Sequence, residues 1–131
     1  MQENNIINIK YKNQQINDKQ QYKQQNLPKY VNWSEKGYVN PIQDQGVCGS
    51  SWAFAAVSQL ESLYAIKNQN LIKLSEQQLI SCAPLPNLGC LGGNSLYAFE
   101  YTKKHGIMLE LDYPYAQKSS NTFCLNFGQF S

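Results

Sequence analysis

The sequence predicts a mainly α fold, a single small domain built round one buried central helix. Three observations predict it. The chain has 131 residues, enough for one domain and not two. From Ser50 to about Lys67 apolar residues are dense, the first half is apolar all round, and neither glycine nor proline interrupts. Two further stretches, Glu76 to about Ser81 and Asn94 to Lys104, carry helix start or stop signals. A hydrophobic content of 42% allows a packed core. A net charge of +2 is too weak to point to nucleic acid or an acidic surface as partner. Every basic residue is lysine, and the absence of arginine argues against bidentate phosphate recognition.

Residues 1–26 are half Asn and Gln, a tract that buries too little apolar surface to offset its ordering entropy. They read as a flexible or partner-dependent arm, with a boundary near Asn26 and the domain at 27–131. Asn32-Trp33-Ser34 has the form of a glycosylation sequon, but tryptophan in the middle makes a poor acceptor, and Trp33 is expected in the core. Gln43 to Phe54 reads as a tight loop with two glycines that feeds straight into the central helix. Such a junction aims backbone N–H groups and the positive helix end at one spot, where negative charge is stabilised. Ser50 is the expected N-cap, Ser51 would project into that spot, and Gln45 could supply an amide donor to it.

Leu71 to Leu74 reads as an extended link. Ser75 and Gln78 then have the spacing of a capping box. Pro84 and Pro86 make a loop, and Gly92-Gly93 leaves backbone uncovered so that another chain can approach. In the next helix Leu96, Tyr97, Phe99 and Tyr101 are expected to form the apolar face, with Gly106 ending it. His105 lies in its last turn. Residues 106–115 read as a surface loop pinned by aromatic rings, in which Glu110 and Asp112 form a solvated edge.

Four cysteines, Cys48, Cys82, Cys90 and Cys124, fit two disulfides in an oxidising compartment, with three possible pairings. A metal site or free buried thiols is the other reading. Zinc is disfavoured because no Cys-x-x-Cys pair exists and the only histidine is distant in sequence. No metal site or cofactor is expected. No segment is apolar enough to span a membrane, and Met1 to Asn5 is not a signal peptide. Disulfides without a leader are reconciled if the chain is a piece of a longer secretory precursor.

Gln45-Gly46-Val47-Cys48-Gly49-Ser50-Ser51-Trp52-Ala53-Phe54 resembles the nucleophile signature of the papain family of cysteine peptidases, with serine at the family's cysteine position. Leu27-Pro28-Lys29-Tyr30-Val31-Asn32-Trp33, Ser75-Glu76-Gln77-Gln78-Leu79, Gly89-Cys90-Leu91-Gly92-Gly93 and Gly106-Ile107 through Tyr113-Pro114-Tyr115 are similar to further family stretches, so the resemblance covers about residues 27 to 125. It implies the helical left lobe of a two-lobed α+β fold, the pairings Cys48–Cys90 and Cys82–Cys124, and a lysosomal, vacuolar or secreted setting. It offers a second reading of residues 1–26 as the end of an inhibitory pro-segment.

The resemblance also implies site roles. Ser51 stands at the nucleophile position and Gln45 at the oxyanion position. Gly49, Ser50, Trp52, Gly92 and Gly93 fall on substrate-binding positions. His105 matches a position with no catalytic role. A papain-like peptidase attacks peptide bonds with a thiolate paired to an imidazolium, and an asparagine orients that histidine. No residue here matches that histidine or asparagine, which belong to a C-terminal lobe. The expectation is a peptidase lobe that is inactive alone, its partners being a peptide or protein substrate and the missing lobe. The alternative is a pseudopeptidase that binds a partner protein without catalysis.

Overall fold

A computed structural model of the chain describes residues 26–119 and Cys124. The Asn/Gln-rich tract therefore lies, but for Asn26, outside the described residues. Three α-helices and one short 3-10 turn make up the regular structure among them, with no strand.

The central helix α1 runs Ser51–Asn68. Its buried residues are Trp52, Ala53, Ala56, Val57, Glu61 and Ala65, a stripe at helical spacing. Burial all round is not observed. Ser51, Ala55 and Ser58 lie on an open side, and Leu63 is 63% exposed. The apolar run concealed this asymmetry because the open side carries Ala and Ser, whose small side chains lose little by facing water. The helix stops at Gln69, which adopts a left-handed φ of 55° and returns its N–H to Ala65 O at 2.8 Å.

Helix α2, Glu76–Cys82, begins with half of the expected capping box. The Ser75 hydroxyl accepts from Gln78 N at 3.0 Å and donates to Tyr113 O at 2.7 Å. The Gln78 side chain does not reach back. Its Oε1 accepts from Met108 N at 2.6 Å instead, tying α2 to the loop after α3. That loop also pairs with the 71–74 link. Leu74 and Leu109 form an isolated antiparallel bridge, flanked by Ser75 N to Met108 O and Glu110 N to Lys73 O, each 3.0 Å.

Helix α3, Ser95–His105, is capped by the Asn94 side chain, which accepts from Leu96 N at 2.8 Å. Gly106, at φ 72°, ends it. The face it buries differs from the expected one. Ala98 and Tyr101 are buried, Phe99 is half-buried, and Leu96 and Tyr97 are exposed. Ala98, like Ala53 and Ala56 of α1, is completely buried. Small residues there let the two helices approach closely, which leaves the larger side chains of α3 on its flanks.

Trp33 is another correction, since it is 45% exposed. It lies beside Tyr38 with the Lys36 ammonium 4.8 Å from its ring centroid. Asn32 accepts from Ser34 N at 3.1 Å, so a local turn holds this segment rather than core packing.

Two disulfides, Cys48–Cys90 and Cys82–Cys124, staple the domain, and they are the pairings that the resemblance implies. One polar cluster is buried. Glu61 accepts from Lys73 Nζ at 3.0 Å, Leu74 N at 2.8 Å and Asn40 Nδ2 at 2.9 Å, and the same lysine bridges to Glu76. Burial pushes the Glu76 carboxyl above its ordinary value, and the Lys73 hydrogen bond offsets only part of that. No helix among the described residues is long and apolar enough to cross a membrane.

Candidate active site

Ser51 is the first residue of α1 and is exposed. Its hydroxyl has no hydrogen-bond partner among the described residues. The loop before it is wound tightly on itself. Gly46 turns at a φ of 63°, with its N–H on Asp44 Oδ1 at 2.8 Å. Gln45 folds back so that Nε2 donates to Cys48 O at 2.9 Å, and Ser50 N donates to the same carbonyl at 2.8 Å. The half-buried Gln45 amide is thereby held beside the N-terminus of α1.

Ser50 sits at the N-cap position, but its side chain caps nothing. It is completely buried, and its hydroxyl lies 2.9 Å from Tyr115 OH and 3.3 Å from Cys48 O. The first turn is closed instead by backbone, with Ala53 N and Phe54 N both donating to Ser50 O.

A second rim faces this loop. Gly49 N donates to Cys90 O at 2.9 Å, parallel to the Cys48–Cys90 disulfide. A Cβ at Gly49 would stand 2.5 Å from that carbonyl, so only glycine lets the two rims approach this closely. Gly92 has a φ of 128° and open space where a side chain would be. Gly93 is exposed, yet a Cβ there would meet the Trp52 ring and Asn87 Oδ1 at 2.6 Å.

Ser50 and Trp52, both expected at substrate-binding positions, are buried. Trp52 is 5% exposed, and its indole N–H donates to Gly89 O at 3.0 Å. Both residues shape the site from below. Gln45, Gly49, Ser51, Gly92 and Gly93 stay on or near the surface.

His105 is far from Ser51. Ser95, at the start of α3, donates to Trp52 O at 2.9 Å and so sits beside the site. His105 is ten residues further along the same helix, about 15 Å away at 1.5 Å per residue. There it stacks on Tyr101 with ring centroids 4.8 Å apart.

Three residues of this region escape a reading by motif. Asn87 is buried, orients the glycine turn by accepting from Asn94 N at 2.8 Å, and leaves its Nδ2 unpaired. Ser119 accepts from Cys90 N at 2.8 Å. Tyr115 reaches the loop from 70 residues away, donating to Gln45 O at 2.5 Å. Only Tyr115 has a sequence signal, the Tyr-Pro-Tyr cluster, and that signal says nothing about its target.

Comparisons with known proteins fit this geometry. The family described as "Papain family cysteine protease" matches residues 27–129. A low-temperature-induced cysteine proteinase of Solanum lycopersicum is 50% identical over 94 residues, which are 71% of this chain and 27% of that protein. Caricain of Carica papaya is 47% identical over 93 residues, 71% of this chain and 26% of its own. The chain thus spans about a quarter of the length of these relatives. A crystal structure of a Carica candamarcensis cysteine protease superimposes with a TM-score of 0.69 at 39% identity, covering 72% of this chain and 44% of that one. With the family matched over nearly the whole described region and the same fold found in a solved member, the chain belongs to the papain family of cysteine proteases and has the helical lobe of their fold.

Proposed function

We propose that this chain is the nucleophile-side lobe of a papain-like peptidase site for peptide or protein substrates, and that alone it does not hydrolyse peptides. Ser51 occupies the nucleophile position and Gln45 the oxyanion position. Gly49, Gly92 and Gly93 offer bare backbone along which an extended substrate can lie. The observation that carries the reading is the exposed Ser51 hydroxyl at the tip of α1, with the chain's only histidine stacked on Tyr101 at the far end of α3.

The chemistry follows from that placement. A hydroxyl must lose its proton to attack a carbonyl, and a general base must take it. The α1 N-terminus favours negative charge by about 0.3–1 kcal/mol, well under one pK unit, which cannot make an alkoxide near neutral pH. Gln45 and the helix N–H groups would stabilise an oxyanion once formed, but among the described residues no base bonds the Ser51 hydroxyl to start the reaction. A base from a second lobe is required. A lysosomal, vacuolar or secreted setting accords with the two disulfides.

The test is hydrolysis of a fluorogenic dipeptide by the chain and by its Ser51→Cys variant. Neither turns over in this reading, because a thiol restores the nucleophile and not the base. Turnover by the isolated variant refutes it. A second reading, a pseudopeptidase that holds a partner protein, is favoured by the open side of α1 at Ser51, Ala55 and Ser58 and by the fully exposed Ile42. A stable complex at native abundance, with no turnover of any peptide, would select it.

A further inference from the structure

We propose that Tyr115 is a positioning residue: its hydroxyl holds the Gln45–Ser50 loop in register with the N-terminus of α1. The inference rests on the assignment of Ser51 to the nucleophile position and names what keeps that position in place.

One phenol oxygen joins the two ends of the loop. Tyr115 OH donates to Gln45 O at 2.5 Å and lies 2.9 Å from Ser50 Oγ. Since its single proton goes to the Gln45 carbonyl, the Ser50 hydroxyl donates to the phenol oxygen, the nearer of its two acceptors, with Cys48 O at 3.3 Å the other. Gln45 is thereby held from both sides, its carbonyl by Tyr115 and its amide by Cys48 O. Ser50 is held by the same phenol on its side chain, while its carbonyl starts the hydrogen-bond ladder of α1. The Tyr115 ring is fixed in turn by an edge-on contact with Phe54, one turn into α1, at 5.0 Å between centroids.

The segment carrying Tyr115 is anchored independently of the loop. Ser75 Oγ donates to Tyr113 O at 2.7 Å, Gln77 Oε1 accepts from Ala116 N at 2.8 Å, and Gln77 Nε2 donates to Lys118 O at 2.9 Å. Ser119 takes Cys90 N on the opposite rim. The phenol is therefore a fixed point referred to α2. Without its hydroxyl the part-buried Gln45 carbonyl has no donor among the described residues, and the loop gains a reason to turn toward water.

The readout is the reactivity of a thiol placed in the site. In the Ser51→Cys variant, iodoacetamide alkylation followed against pH reports the local field of the helix tip. With Tyr115 intact the thiol is expected to titrate roughly half a unit below its ordinary value of about 8.5. Adding Tyr115→Phe should return it to that value and slow alkylation at pH 7 about threefold, with the protein still folded by circular dichroism. Ser50→Ala cuts the same link from the helix side, should act in the same direction, and serves if Tyr115→Phe does not fold. Tyr38→Phe is the control, because it removes a phenol hydroxyl bonded to Gln69 at the other end of α1 and should change nothing. An unchanged titration in folded Tyr115→Phe or Ser50→Ala protein overturns the positioning role. An ordinary titration with Tyr115 intact overturns the assignment of Ser51 instead.

Discussion

The two ends of α1 are held in different ways. At the N-terminus, loop, disulfide, glycine turn and aromatic strap converge within a few residues of Ser51. At the C-terminus the helix closes on itself. Gln69 returns its N–H to Ala65, the Asn68 and Gln69 amides bond carbonyls of the last turn, and Leu63 and Tyr64 face outward. One end is built from several parts distant in sequence; the other rests mainly on its own neighbours, with a single bond from Tyr38 OH to Gln69 Oε1 reaching it from afar. Precision at the site is thus bought with long-range contacts, and the far end needs only to stop.

That contrast can be broken most severely at the disulfide. Replacing Cys48 and Cys90 together with alanine should lower stability by about 2–4 kcal/mol, read from denaturant unfolding. A loss near zero would mean that the N-terminal end holds without its staple. Gly93→Ala comes next, because the added methyl must displace the Trp52 ring or Asn87. It should cost about 1–3 kcal/mol, visible as a lower Tm. Ser75→Ala removes the α2 cap and the bond to Tyr113 O, and should cost about 1–2 kcal/mol by the same measurement.

Glu76 sharpens the comparison through pH. Its carboxyl titrates above the ordinary value when folded, so the folded chain binds more protons than the unfolded one between the two values. Its contribution to stability is present below the unfolded pKa and falls as pH rises through the folded one. Glu76→Gln cannot titrate, so its stability relative to the parent should improve steadily across that window. A flat difference would refute this. The smallest effect is expected at the C-terminal end. Gln69→Gly relieves a left-handed φ but loses the bonds to Tyr38 and Ile66, and should shift stability by no more than about 0.5 kcal/mol.

Sequence reading went furthest where a local rule decides the outcome. The cap at Ser75, the stop at Gly106 and the extent of α1 all depend on residues within one turn. Asn94 reads in sequence as the start of α3 and proves to be its cap, one residue outside. Local rules did not reveal which side of a helix meets which neighbour. Leu96 and Tyr97 looked like core by composition, but close approach of Ala98 to α1 decided otherwise. Trp33 reads as core because tryptophan usually is, yet it is 45% exposed beside Tyr38 and the Lys36 ammonium. The loop around Ser51 was legible as a motif, and its internal bonds were not. Gln45 back to Cys48 is a local fold no propensity predicts, and Tyr115 to Gln45 spans 70 residues.

The pairing of the cysteines has a topological consequence for survival among proteases. The Cys48–Cys90 and Cys82–Cys124 rings overlap between residues 82 and 90. Any single backbone scission from 48 to 124 leaves its two pieces covalently joined, and one inside the overlap, such as at the exposed Leu85, leaves them joined twice. A nicked molecule would migrate as one band until thiol is added, so damage to this lobe can accumulate without the lobe falling apart.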